Sequence, residues 1–225
     1  MLEELINKSL VWTDHAFTYN LGFRETGYKA LDQILPGGGW PKYGLTEIFS
    51  ERAGAGALRL VLPLIARMTR AQKKVIFVNP PYIPFPSALS FEGLDLSNLI
   101  IINPPYKSAS RGQEILRIYE DALKVEDCSI VLAWLSNVLF KDSRKLSLAA
   151  LAGKNWGVTF LPLSAINSSS ASTLRISSEI SSSASGLRSL KITLLKARGK
   201  AKGKSVCLEL RYFLLSNVSI YEECV

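Results

Sequence analysis

Four short apolar runs constrain this chain more than anything else in it. VIFV from Val75, LIII from Leu99, SIVLAW from Ser129 and GVTFL from Gly157 lack the in-out alternation of a strand with one wet face. Unbroken runs of that length belong to strands covered on both sides, as in a parallel sheet flanked by helices. Between them, residues 113–125 and 144–153 carry apolar side chains at helical spacing, as does Leu58 to Thr69 despite Pro63. Earlier, Leu45 to Phe49 fits a strand, and Ala30 to Leu35 fits a turn or two of helix stopped by Pro36 and three glycines. Near the other end, Leu187 to Leu195 and Val206 to Leu214 alternate well enough for an antiparallel hairpin joined by KARGKAKGK. The expected fold class is therefore α/β, a mostly parallel sheet with helices on both faces and a C-terminal antiparallel hairpin.

The segment LTEIFSERAGAGALRL reads as strand, glycine-bearing loop and helix, where a nucleotide-binding fold carries GxxxxGK[ST]. There the lysine reaches the β- and γ-phosphates and the hydroxyl ligates magnesium. Gly54 and Gly56 are kept, but Ala57 and Leu58 fill the lysine and hydroxyl positions, with Arg59 the nearest cation. A magnesium-binding aspartate is expected at the end of SIVLAW, where Trp134 stands; a water-activating carboxylate is expected after VIFV, where Asn79-Pro80-Pro81 stands. The sole histidine, His15, lies far from any GxSxG, which is absent. These substitutions predict a degenerate phosphate loop kept for geometry, no enzyme activity, no cofactor and no metal.

The chain has 27 basic and 19 acidic residues, a net charge of +8, and the excess is local. Arg188, Lys191, Lys196, Arg198, Lys200, Lys202 and Lys204 fall between residues 186 and 204 without an acid; outside that stretch the balance is 20 to 19. Such a segment is either a solvated loop or a patch for nucleic-acid phosphates or an anionic partner. From 168 to 185, ten of eighteen residues are serine, and composition alone predicts a mobile loop. Residues 1–20 offer Leu5, Ile6, Leu10, Trp12 and Phe17 as an apolar docking segment, for the body or for a partner protein. The cluster from Pro80 to Pro86, with Tyr82 and Phe85, is a third candidate surface, or packing over the sheet. Three widely spaced cysteines give no disulfide framework, and no apolar run reaches membrane-span length. The acidic start MLEELINK is unlike a signal peptide, so the cytoplasm is the expected location. The expected division is a docking segment at 1–20, one domain at 21–215 and a tail at 216–225.

TGYKALDQILPGGGWPKYGLTEIFSERAGAG resembles the entry into the RecA-like ATPase fold. With PPYIPFPSALSFEGLDLSNLIIINP, SIVLAWL, NWGVTFLPLSA and ITLLKARG following in order, residues 20 to 215 resemble more closely the ImuA family of translesion-synthesis-associated proteins, whose phosphate loop is degenerate. The resemblance implies a non-catalytic accessory role in SOS-induced mutagenic synthesis. It implies as partners the Y-family-like protein ImuB, RecA and the error-prone polymerase DnaE2, with single-stranded DNA as a further candidate. The related SulA division inhibitors, which bind the tubulin-like protein FtsZ, share the FLPLSA-type strand but lack the TGYKALD opening and the basic LLKARG tail; they are the alternative.

Overall fold

The computed structural model describes residues 22–51, 56–104, 111–126, 128–182, 188–197 and 203–209. Its centre is an eight-stranded sheet, in the order β10-β9-β8-β3-β7-β6-β4-β5. The strands are β3 (Gly44–Ser50), β4 (Lys74–Val78), β5 (Leu99–Ile102), β6 (Cys128–Trp134), β7 (Trp156–Pro162), β8 (Leu174–Ser182), β9 (Arg188–Ala197) and β10 (Ser205–Glu209). From β8 to β5 every neighbouring pair is parallel; β9 is antiparallel to both β8 and β10. A two-stranded ribbon, β1 (Phe23–Arg24) with β2 (Trp40–Pro41), lies outside it.

The apolar runs behave as their lack of alternation predicts, because helices cover both faces. On one side α1 (Lys29–Ile34) and α2 (Leu62–Arg70) share a core with Ile48, Phe77, Ile130 and Val158, joined there by Leu89 of α3 (Pro86–Phe91). On the other, α4 (Arg111–Leu123) and α5 (Phe140–Ala152) pack on Leu45, Phe49, Val78 and Val131. The helix expected from Leu58 is split: Ala57–Leu60 is a 3-10 turn and α2 starts at Leu62, so Pro63 sits in the first turn, where its missing N–H costs nothing. LIII is not buried throughout: β5 is the outermost strand, and Ile100 and Ile101 are 42% and 40% exposed.

The expectation of a mobile serine-rich loop at 168–185 is overturned over residues 174–182; residues 183–185 lie outside the described residues. Residues 174–182 form β8, held between β3 and β9 in the interior of the sheet. Two aliphatic side chains, Leu174 and Ile176, suffice to anchor it in the core, since backbone ladders on both sides satisfy the rest. Arg175 and the residues just before the strand are used as well. Arg175 Nε donates to Glu47 Oε2 at 2.7 Å across the β3–β8 register, with Glu47 only 1% exposed, and the guanidinium lies 4.7 Å from the centre of the Phe49 ring. Ser170 also donates to Glu47, and Lys196 Nζ donates to the Ser170 carbonyl at 2.8 Å. Ser143 Oγ of α5 accepts the Ala171 N–H at 2.9 Å, tying the same segment to the helix above it. The docking segment at 1–20 and the tail at 216–225 lie outside the described residues.

Breaking one half of a buried ion pair strands the other charge, so Arg175→Met is expected to lower unfolding free energy by about 3–5 kcal/mol. Glu47→Leu combined with Arg175→Met removes the stranded charge and is expected to recover a large part of that loss; urea titrations of the three proteins measure both. Burial also pushes the Cys128 thiol up to about 11 from its ordinary 9.0. The unfolded thiol ionises first, so this contribution is intact below pH 9 and is lost as pH rises towards 11. Cys128→Val is expected to flatten that decline in pH-dependent melting.

Candidate functional site

In open parallel sheets ligands bind beyond the carboxyl ends of the strands, and there β3, β4, β6 and β7 bound a cleft of about 730 Å³. After β3 the chain passes Gly56, whose φ of +86° is the left-handed conformation glycine adopts without strain, and enters the turn at Ala57. Ala57 is buried and Leu58 half-buried against the core, so the positions that would hold a phosphate-binding lysine and a metal-binding hydroxyl carry hydrocarbon instead. Gly54 lies outside the described residues. The Arg59 carbonyl accepts a hydrogen bond from the Tyr28 hydroxyl at 3.0 Å, which fixes the turn to the start of α1.

The floor is aromatic. Trp134 ends β6 and stacks on Phe160 of β7, its register partner, with ring centres 4.8 Å apart and planes 17° from parallel. Phe77 of β4 meets the same indole edge-on at 5.4 Å and 66°. Three adjacent strands thus each contribute one ring, in geometries that aromatic quadrupoles favour. Asn79, just past β4, takes φ +53° and works as a bracket: its Nδ2 donates to the Trp134 carbonyl and its Oδ1 accepts from Arg111 Nη2, both at 2.8 Å. The position expected of a water-activating carboxylate is therefore an amide whose two ends join β4, β6 and α4. Pro80, Pro81 and Pro84 line the cleft beside Tyr82, which is 71% exposed, and Phe85 is 70% exposed nearby in the chain. Such a cleft accepts apolar or planar groups by burial and stacking.

The basic turn lies elsewhere. Since β8 is parallel to β3 and β9 antiparallel to β8, β9 runs towards the amino ends of the parallel strands. Its turn into β10 leaves through Ala197 and returns at Gly203, at the end of the sheet opposite the cleft. Lys191 and Lys204 are exposed, with Lys191 directly across from Glu179. Lys196 is half-buried and serves the Ser170 carbonyl, a packing role that removes it from a free phosphate-binding row. Arg188 starts β9 opposite Ser182, at the carboxyl end of β8 and so at the cleft's end of the sheet; Arg198, Lys200 and Lys202 lie outside the described residues, as do Leu5, Ile6, Leu10, Trp12 and Phe17. The aromatic floor escaped the sequence reading, in which Trp134 figured only as a missing aspartate. The available signal was an aromatic in each of VIFV, SIVLAW and GVTFL. Among the described residues no group of three or more His, Cys, Asp or Glu is placed to hold a metal ion, and no helix is long and apolar enough to cross a membrane.

Asn79→Ala is expected to destabilise the fold by about 1–3 kcal/mol, since it leaves the Trp134 carbonyl and Arg111 without this partner. Asn79→Gly loses the same two bonds but not the left-handed tolerance, and is expected to be the milder change by about 1 kcal/mol in denaturant titrations.

No protein-family model and no curated protein sequence matches the chain. Among solved structures it is similar to SulA from Pseudomonas aeruginosa, at 18% identity over 52% of this chain and 97% of that one, with a TM-score of 0.43.

Proposed function

We propose that this chain is a non-catalytic accessory protein of SOS-induced translesion DNA synthesis, binding proteins of the ImuB and RecA type, and through them DnaE2, without turning over nucleotide. The observation that carries this is the filling of the nucleotide position. Ala57 and Leu58 replace the phosphate-binding pair, and the Phe77–Trp134–Phe160 stack with the Asn79 bracket replaces both carboxylates. Losing a cation, a metal ligand and a general base together removes the electrostatic stabilisation on which phosphoryl transfer depends. What remains is a proline- and aromatic-lined cleft with Arg59, Arg111 and Glu92 in its walls, of the kind that takes an anchor side chain from a partner protein. The order of sequence motifs over residues 20 to 215 supports the translesion setting.

In this proposal the basic turn at the far end of the sheet contacts single-stranded DNA through phosphates. Neutralising Lys191, Arg198, Lys200, Lys202 and Lys204 together is expected to weaken binding to an oligonucleotide and to flatten its salt dependence, by about 0.7 in the slope of log K against log salt for each phosphate no longer neutralised. An unchanged slope removes DNA from the proposal. The partner is tested by capture of purified ImuB, RecA and FtsZ on the immobilised protein, with and without ATP. Capture of ImuB or RecA that is indifferent to ATP, and reduced at least tenfold by Trp134→Ala in protein that still folds, is the expected result. Capture of FtsZ alone replaces the proposal with a SulA-like division inhibitor.

A further inference from the structure

The outermost strand of the parallel end of the sheet is unusually bare. β5 reads Leu99-Ile100-Ile101-Ile102, pairs only with β4, and has no strand on its other side among the described residues. Successive strand residues point to opposite faces, so the 42% exposure of Ile100 and the 40% exposure of Ile101 mean that neither face is fully covered at this edge. The backbone is open as well. The Asn79 N–H donates to the Ile102 carbonyl, so Ile102 and Ile100 direct their peptide groups at β4, and Ile101 between them directs its own outwards. Natural edges are blunted by lysine, proline or a bulge inside the strand, and β5 has none of these.

The surrounding unit has the same character. Six of the eleven large apolar side chains exposed among the described residues, Tyr82, Ile83, Phe85, Phe91, Ile100 and Ile101, belong to the single segment that runs from the end of β4 to β5. Between Val75 and Tyr106 the sequence contains no lysine or arginine, and only Glu92 and Asp95 are acidic. In a chain of net charge +8 this segment carries no cation of its own; Lys74 of β4 reaches it only to donate to the Ser97 carbonyl and Asn98 Oδ1 before β5 begins.

We propose that β5 is the seam of a homodimer, in which two copies pair their β5 strands antiparallel about a two-fold axis and continue one sheet through both molecules. The strand is self-complementary: with the axis at Ile101, whose peptide groups point outwards, Ile101 of each copy lies opposite Ile101 of the other, and Ile100 opposite Ile102. A contact built on four residues a side falls at the small end of specific interfaces, so association in the micromolar range is expected. This seam is independent of the partner and DNA contacts proposed above.

Sedimentation velocity of the full chain across the micromolar range tests it. The wild type is expected to shift reversibly from monomer to dimer with rising concentration, and Ile101→Lys to raise the dissociation constant at least tenfold with an unchanged circular dichroism spectrum. Ile101→Thr keeps β-branching and serves as the second variant if lysine disturbs folding, with a smaller weakening expected. A wild type that stays monomeric overturns the proposal and leaves the edge to a strand from another protein. A folded Ile101→Lys or Ile101→Thr protein that dimerises as tightly as the wild type overturns it by placing the contact elsewhere.

Discussion

The ion pair between Glu47 and Arg175 crosses the junction of β3 and β8 near the middle of the sheet. β3 borders β8, where the parallel strands give way to the antiparallel β9 and β10; the pair joins these two neighbours with Glu47 out of water. A carboxylate buried alone is costly, so the position of Arg175, and with it the register of β8, is set by the need to neutralise it. Ser170 and Lys196 complete the arrangement, one donating to Glu47 and the other to the Ser170 carbonyl. The antiparallel β9 and β10 then build outwards from β8. The ion pair adds to the backbone ladders and the buried Leu174 and Ile176 that hold a strand with four serines among its nine residues in the interior of the sheet.

The two ends of this sheet have separate characters. At the carboxyl end the loops after β3, β4 and β6 surround aromatic rings and prolines, with Asn79 joining three elements through a single amide. At the amino end β9 leaves through Ala197 and the chain returns at Gly203, beside the exposed Lys204. The carboxyl end keeps cations of its own, since Arg59 and Arg111 line the cleft.

Much of the parallel sheet was legible in the sequence, because continuous apolar runs have few other ways to be covered. The missing lysine and carboxylates were legible for a similar reason: their positions are fixed relative to the ends of recognisable strands. β8 was not, since composition counts serines and cannot weigh Leu174 and Ile176 against them. Nor can it foresee that Arg175 has its partner 128 positions earlier. The stacking of Trp134 on Phe160 depends on β6 and β7 being neighbours, and the placement of the basic turn depends on strand direction, both properties of topology rather than of local pattern. The partial exposure of LIII follows from its place at the end of the strand order, which four aliphatic residues in a row do not reveal.

The central claim is that hydrocarbon and aromatic rings have replaced phosphate chemistry at the carboxyl ends of β3, β4 and β6. Titrating magnesium-ATP into the purified protein by calorimetry tests this most directly. The account predicts no saturable heat at millimolar nucleotide and no released phosphate. Saturable binding at micromolar nucleotide, weakened by substitution of Arg59 and accompanied by hydrolysis, would contradict it.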